Sequence, residues 1–288
     1  MSIFEAVIIA IVEGLTEFLP VSSTGHMIIT SSLLRTKEDD FLKLFVVAIQ
    51  LGSIMAVVLL YWQKFVQFNQ WQFYAKLIVG VLPALGFGYF LNDQIDKMLG
   101  SEVIVAISLL VGGIVLVYID KWFQQPIRNK PDLLATTVTH SELIEADDRL
   151  TYKKAFIIGC WQVIAMIPGV SRSAASIIGG MQQKLTRNFA AEFSFFLAVP
   201  TMFAASAYSI FIKVWSEDGV PKRGYQLITQ SQENIYAFTI GNTVAFIVAL
   251  LAIKFFINYL KVYGFRIFGI YRIVLGLVLL ILIVTGYL

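Results

Sequence analysis

Apolar residues in this chain come in long runs rather than at alternate or one-face positions. Runs at 44–62, 103–119, 189–212, 235–260 and 267–287 each approach the ~20 apolar residues that a membrane-crossing helix needs. The stretch 77–91 is shorter and is interrupted by Gly80, Pro83, Gly86 and Gly88. It predicts a sixth span, tilted or closely packed through its small residues. Trp62, Trp71, Tyr74, Tyr89, Tyr118 and Trp122 fall near span ends, as an interfacial aromatic belt does.

Two further apolar regions, 3–34 and 155–181, are broken in the middle by proline and a Ser/Gly cluster. Neither half of either region is long enough to cross alone. Half-helix, turn, half-helix predicts a re-entrant hairpin, tolerated at membrane depth where protein or a water-filled cavity surrounds it. The two regions also resemble each other. Leu19-Pro20-Val21-Ser22-Ser23 parallels Ile167-Pro168-Gly169-Val170-Ser171-Arg172-Ser173 with one inserted glycine, and three spans follow each. The predicted fold is therefore an all-α polytopic membrane protein of two inverted-topology repeats, 1–120 and 151–288, joined by a polar linker, 121–150. An odd number of crossings per repeat inverts the second against the first, so that the hairpin tips can meet near the midplane.

Charge sets the orientation. If the termini share a face, that face carries seven Lys and Arg and the opposite face thirteen. The positive-inside rule makes the richer face cytoplasmic. Both termini are then expected outside, the linker inside, and the first hairpin open outward. Composition agrees. Hydrophobic residues make up 58 % and charged residues 14 % of the 288, against about 45–50 % and 25 % in soluble domains. Disorder is excluded, and a dispersed net charge of +3 gives no reason to expect nucleic acid. Cys160 is alone, so no intrachain disulfide is expected. The first 20 residues lack a basic start and carry Glu5, Glu13 and Glu17, which argues against a cleavable signal peptide.

Ionisable groups at membrane depth are costly, yet Glu13, Glu17, His26 and Arg172 fall inside the two broken regions. Around them stand Ser22, Ser23, Thr24, Ser171, Ser173 and Ser176. Glu13 and Glu17 are four residues apart and share a helix face. An ion-pair network that merely holds the hairpins together is the bland reading. Two adjacent carboxylates repel, however, and His26 has no structural need. The sharper reading is an anion site. Half-helix N-termini present free N–H groups, Arg172 offers a planar fork for phosphate oxygens, and a hydroxyl or imidazole beside a carboxylate is an activated nucleophile. With His26 neutral, Glu13, Glu17 and Arg172 sum to one negative charge, and a diphosphate adds more. A divalent cation, Mg²⁺ or Ca²⁺, held by Glu13 and Glu17 together with phosphate oxygens would relieve this.

The segments EGLTEFLPVSSTGH and PGVSRSAAS resemble the two signatures of the undecaprenyl-diphosphate phosphatases, the bacitracin resistance protein family. IQLGSIMAVVLLYW, EFSFFLAVP and YRIVLGLVLL are also similar to that family, so the resemblance spans most of the chain apart from the linker and the 213–234 loop. It implies removal of the terminal phosphate from a C55 isoprenyl diphosphate in the bacterial plasma (inner) membrane, on the outer leaflet, with a metal ion. It implies functional roles for Glu17, Ser22, Ser23, His26 and Arg172, with Glu13 matching the first glutamate. Bacitracin would compete for the same lipid, and a homodimer is one assembly the family resemblance admits. Two positions depart from the family pattern. Ala174 stands where a glycine is usual, which implies negative φ there or room for a methyl group. Val46 stands where an acidic residue is common.

Two nucleophile schemes remain open. Ser23 attacks, with His26 or Glu17 taking its proton, or His26 attacks and Glu17 orients the ring. Ser22, Thr24, Ser171, Ser173 and Ser176 are expected to bind substrate. Gln50 and Gln162 are polar and mid-span, either touching the site or only bridging helices. The rival class is a lipid-phosphate transporter or flippase, because broken helices at the midplane are also a transporter design.

Overall fold

The computed structural model describes residues 1–36, 39–66, 71–99, 101–123, 150–217 and 220–286. Most of the predicted linker, 124–149 with His140, therefore lies outside the described residues. In chain order the helices are α1 (Ile3–Thr16), α2 (Ser23–Leu34), α3 (Asp40–Ala48), α4 (Gln50–Leu60), α5 (Trp62–Val66), α6 (Trp71–Leu99) and α7 (Glu102–Trp122). They continue as α8 (Tyr152–Ile164), α9 (Arg172–Gln182), α10 (Arg187–Ala207), α11 (Gly224–Thr229), α12 (Gln232–Tyr263) and α13 (Arg266–Val284). Side-chain oxygens start many of them. Ser2, Ser101, Thr151, Thr186 and Ser231 each accept a first-turn N–H, satisfying donors that would be orphaned in an apolar surround.

Among the described residues five helical segments are long and apolar enough to cross a membrane, namely Asp40–Leu60, Glu102–Trp122, Arg187–Ile212, Gln232–Tyr263 and Arg266–Val284. They match the five apolar runs. The first is broken at Ile49 between α3 and α4. There Asn242 of α12 reaches in, and its Oδ1 accepts from the Gly52 N–H at 2.9 Å, an inserted side chain of the kind that interrupts helices. The sixth predicted span is half of a longer element. Helix α6 runs 29 residues, straight through Pro83, and is not among the five apolar segments. Its small residues do allow close packing, since Gly80 lies directly against Gly159 of α8.

The two broken regions are helical hairpins, α1 against α2 and α8 against α9. At 1.5 Å per residue the 14 residues of α1 span about 21 Å, short of a ~30 Å hydrocarbon core. The hairpins pack reciprocally, with α1 on α12, α8 on α6, and α7 along α13. Phe18 at the first turn joins Phe73, Phe193, Phe195, Phe196 and Phe256 in the main buried cluster. The all-α class holds, with one short pair of strands among the described residues. Val214–Glu217 and Val220–Arg223 pair as an antiparallel hairpin with Val214 opposite Arg223, inside the region read as a loop. Short β-branched and aromatic pairs there (Val214, Trp215, Val220) suit strands.

Candidate active site

Two turns build the site. Helix α1 ends at Thr16 and α2 begins at Ser23, while α8 ends at Ile164 and α9 begins at Arg172. The residue before each new helix is a serine with positive φ, Ser22 at 71° and Ser171 at 73°. Each caps its helix, Ser22 Oγ accepting from the Gly25 N–H and Ser171 Oγ from the Ala174 N–H. Serine in this conformation is strained, and such strain collects at functional sites. Gly169 (φ 89°) bends the second turn, and a Cβ there would meet the Val105 carbonyl at 2.6 Å. The inserted glycine is thus what lets this turn lie against α7. Ala174 sits inside α9 and is not among the positive-φ residues, so its methyl group is tolerated.

Glu17 joins the two helix starts. Ser23 Oγ donates to Glu17 Oε2 at 2.7 Å, and Arg172 Nη2 donates to Glu17 Oε1 at 3.0 Å. The pair is mostly buried, with side-chain exposures of 13 % and 7 %. Arg172 also donates through Nη1 to the Ser194 carbonyl at 3.0 Å and lies over the Phe18 ring. Glu13 sits beside Glu17 on α1, fully buried, and its Oε1 has no hydrogen-bond partner. Among the described residues no group of three His, Cys, Asp or Glu side chains could hold a metal. The two carboxylates nonetheless fit a cation that brings its other ligands with it, because the bare Glu13 oxygen is an unmet acceptor.

His26, half-buried on the first turns of α2, is held by groups other than Glu17. Its Nδ1 lies 2.7 Å from the Ser22 carbonyl and its Nε2 lies 2.6 Å from the Tyr271 hydroxyl. A carbonyl only accepts, so Nδ1 carries the proton. Tyr271 and Ser22, rather than Glu17, orient the ring. The remaining serines bond within the protein. Ser173 Oγ donates to the Leu19 carbonyl at 2.9 Å, tying the second turn to the first. Ser176 Oγ donates to the Arg172 carbonyl at 2.8 Å and lies 2.7 Å from Ser194 Oγ. Both residues are buried, and in this arrangement both protons are engaged within the protein. Ser171 Oγ, 3.0 Å from Ser173 Oγ, and half-buried Thr24 stay at the helix starts. Gln162 donates to Thr201 Oγ1 at 3.2 Å, which bridges α8 and α10. Gln50 opens α4 just after the break, half-buried.

Three contributors escape the sequence reading. Tyr271 and Ser194 carry no signal by themselves. Arg272 does, since it is a cation in the middle of the apolar run 267–287, the kind of residue that marks function or tight pairing. It is fully buried. Its guanidinium donates to four carbonyls, Val170 and Gly169 at 2.9 Å, Ser108 at 3.1 Å and Pro20 at 3.3 Å. One side chain thus fixes both turns.

The model of the family described as bacitracin resistance protein BacA matches residues 6–278. An undecaprenyl-diphosphatase of Flavobacterium johnsoniae is 48 % identical over 282 residues, covering 98 % of this chain and 96 % of that protein. One of Flavobacterium psychrophilum is 50 % identical with the same coverage, and one of Bdellovibrio bacteriovorus is 46 % identical over 288 residues, 100 % of this chain and 98 % of its own. A match of this extent over both turns and all five apolar segments places the chain in the bacitracin resistance protein BacA family.

Proposed function

We propose that this membrane protein dephosphorylates undecaprenyl diphosphate, leaving undecaprenyl phosphate and releasing inorganic phosphate. The relatives are named for that activity, and they give the transporter alternative no support. The observation that carries the chemistry is Glu17 bonded at once to Ser23 and Arg172. Ser23 Oγ attacks the terminal phosphorus while its proton passes to Glu17 Oε2, the P–O bond to the bridging oxygen breaks, and undecaprenyl phosphate leaves. Water then attacks the phosphoseryl phosphorus and gives a proton to His26 Nε2, the Ser23–P bond breaks, Glu17 Oε2 returns its proton to Ser23 Oγ, and His26 passes its proton to the departing inorganic phosphate. Arg172 and the N–H groups opening α2 and α9 hold the equatorial oxygens, where charge stabilisation does most of the catalysis in phosphoryl transfer. A direct attack by His26 is the second scheme. It requires Nε2 to give up the Tyr271 hydroxyl, which makes Ser23 the better-placed nucleophile. Glu13 and Glu17 are the residues to hold Mg²⁺ or Ca²⁺, which would offset the negative charge of the diphosphate.

The site belongs to two inverted repeats, 1–120 and 151–288, with re-entrant hairpins. Reciprocal packing of α1 on α12 and α8 on α6, and the matched serines at φ 71° and 73°, support this. Both termini and the first hairpin face outward from the plasma membrane, so the outer leaflet supplies the lipid and bacitracin competes for it. The test is phosphate release from C55 or C15 isoprenyl diphosphate by purified protein in detergent, with and without chelator. Chelator-sensitive release, abolished in Ser23→Ala and Arg172→Ala, is the expected outcome. Absence of release from well-folded wild type across several isoprenyl diphosphates and metals would overturn the proposal, and full activity in Ser23→Ala would move the attack to His26.

A further inference from the structure

Helix α13 meets the site at two consecutive residues. Arg272 points inward to the carbonyls of the turns. Tyr271, one residue earlier and 45 % exposed, points along the surface to α2, where its hydroxyl sits 2.6 Å from His26 Nε2. The two rings are nearly parallel, 9° apart with centroids 5.5 Å apart. The contact joins residues 245 apart in sequence, so it exists only when α13 is docked on the hairpin. Helix α13 is docked firmly, since Gly113 of α7 and Gly269 of α13 lie backbone against backbone.

The chemistry of this contact is directional. Ser22's carbonyl consumes the Nδ1 proton, so the neutral ring offers a lone pair at Nε2, and the tyrosine hydroxyl is the donor that matches it. Once the ring gains a second proton, the same hydroxyl turns and accepts from Nε2. A hydroxyl serves both states, which a carbonyl or an ammonium in that place would not. Among the described residues the His26 ring nitrogens bond to the Ser22 carbonyl and the Tyr271 hydroxyl.

We propose that Tyr271 is a positioning residue that holds His26 as the Nδ1–H tautomer, with Nε2 directed to one fixed place and able to take and return a proton. The proposal rests on the diphosphatase reading only for its kinetic arm. The chain contains two histidines, His26 and His140, so His140→Gln protein labelled with ¹⁵N-histidine reports on His26 alone. In wild-type background the spectrum should show one protonated nitrogen, Nδ1, and one bare nitrogen, Nε2. Tyr271→Phe keeps the ring stack and removes only the hydroxyl. It should move the Nε2 resonance and populate the second tautomer. In phosphate release from C15 isoprenyl diphosphate, Tyr271→Phe should lower kcat by about tenfold, the scale of one lost hydrogen bond of ~1.4 kcal/mol, with KM within twofold. In a His26→Gln background the same change should cost nothing further. Unchanged nitrogen resonances in Tyr271→Phe would overturn the proposal, as would an equal loss of rate with and without His26. If wild type releases no phosphate, the diphosphatase reading fails while the nitrogen spectra still decide the role of Tyr271.

Discussion

Arg272→Met is the sharpest perturbation the structure offers. The arginine is fully buried and donates to four carbonyls. Three of these, Pro20, Gly169 and Val170, lie in the turns, outside any helix, so the substitution leaves them without that donor. An orphaned buried acceptor costs about 1–3 kcal/mol, which puts the gross loss at about 3–9 kcal/mol. Methionine also removes a buried charge, recovering part of a desolvation penalty of several kcal/mol. The net loss is then about 2–5 kcal/mol, concentrated on the two turns. If even ~2 kcal/mol of it appears as misplacement of Ser23 against Arg172, the rate falls about 30-fold. Phosphate release and the thermal midpoint in one detergent measure both parts. Gly112→Ala is the independent check, because a Cβ there would land on the Arg272 guanidinium. It should reproduce the defect in milder form without removing any polar group. Arg272→Met protein with wild-type midpoint and activity within threefold would refute the reasoning.

Glu17→Gln should lower phosphate release by about 10²–10⁴-fold, since breaking a buried pair by removing one partner costs about 3–5 kcal/mol, and the amide cannot accept from both Ser23 and Arg172. Steady-state kinetics with Glu17→Gln retaining most of the activity would count against the shared carboxylate. Glu13→Gln should raise the Mg²⁺ or Ca²⁺ concentration needed for half-maximal activity by about tenfold, because one anionic oxygen ligand is lost, and excess metal should restore much of the rate. An unchanged metal titration would take Glu13 out of the cation site. Gly169→Ala should lower the thermal midpoint, because it forces a side chain into a left-handed backbone against the Val105 carbonyl, a change of about 1–3 kcal/mol. Circular-dichroism melting tests it, and an unaltered midpoint would mean that the turn is free to move.

The five apolar runs were legible because burial in lipid demands continuous apolar length, and the structure reproduces them within a few residues. The hairpin breaks were legible from Pro20 and Pro168 beside serines. The apolar stretch 77–91 lies within the longer helix α6, whose polar ends carry no apolar signal, and its Gly80 packs against Gly159 of α8. The β-hairpin at 214–223 was hidden by its length, since four-residue strands carry too little periodicity. Within the site, Glu13, Glu17, Ser23 and Arg172 could be grouped from sequence because they flank the same breaks. Tyr271 could not, since nothing local ties a tyrosine on the last helix to a histidine 245 residues earlier. Arg272 could have been found, as a charge inside an apolar run that no nearby carboxylate balances.

The two turns present alike backbones and unlike side chains, and this difference is what the proposed chemistry uses. Ser22 and Ser171 adopt the same strained conformation and cap their helices in the same way. The next residue opens each helix, Ser23 in one case and Arg172 in the other. A helix start attracts an anion whichever residue stands there, so binding alone would be served by either. A hydroxyl, however, can surrender its proton and attack, while a guanidinium keeps its charge and holds what is attacked. Two serines would give a nucleophile without a fixed cation, and two arginines would give a diphosphate trap without a nucleophile. Glu17 bonds to both openings, which makes one carboxylate the proton acceptor for the first and the counter-ion for the second. Geometry at either helix start is therefore felt at the other, and the carboxylate cannot serve one role while displaced from the second.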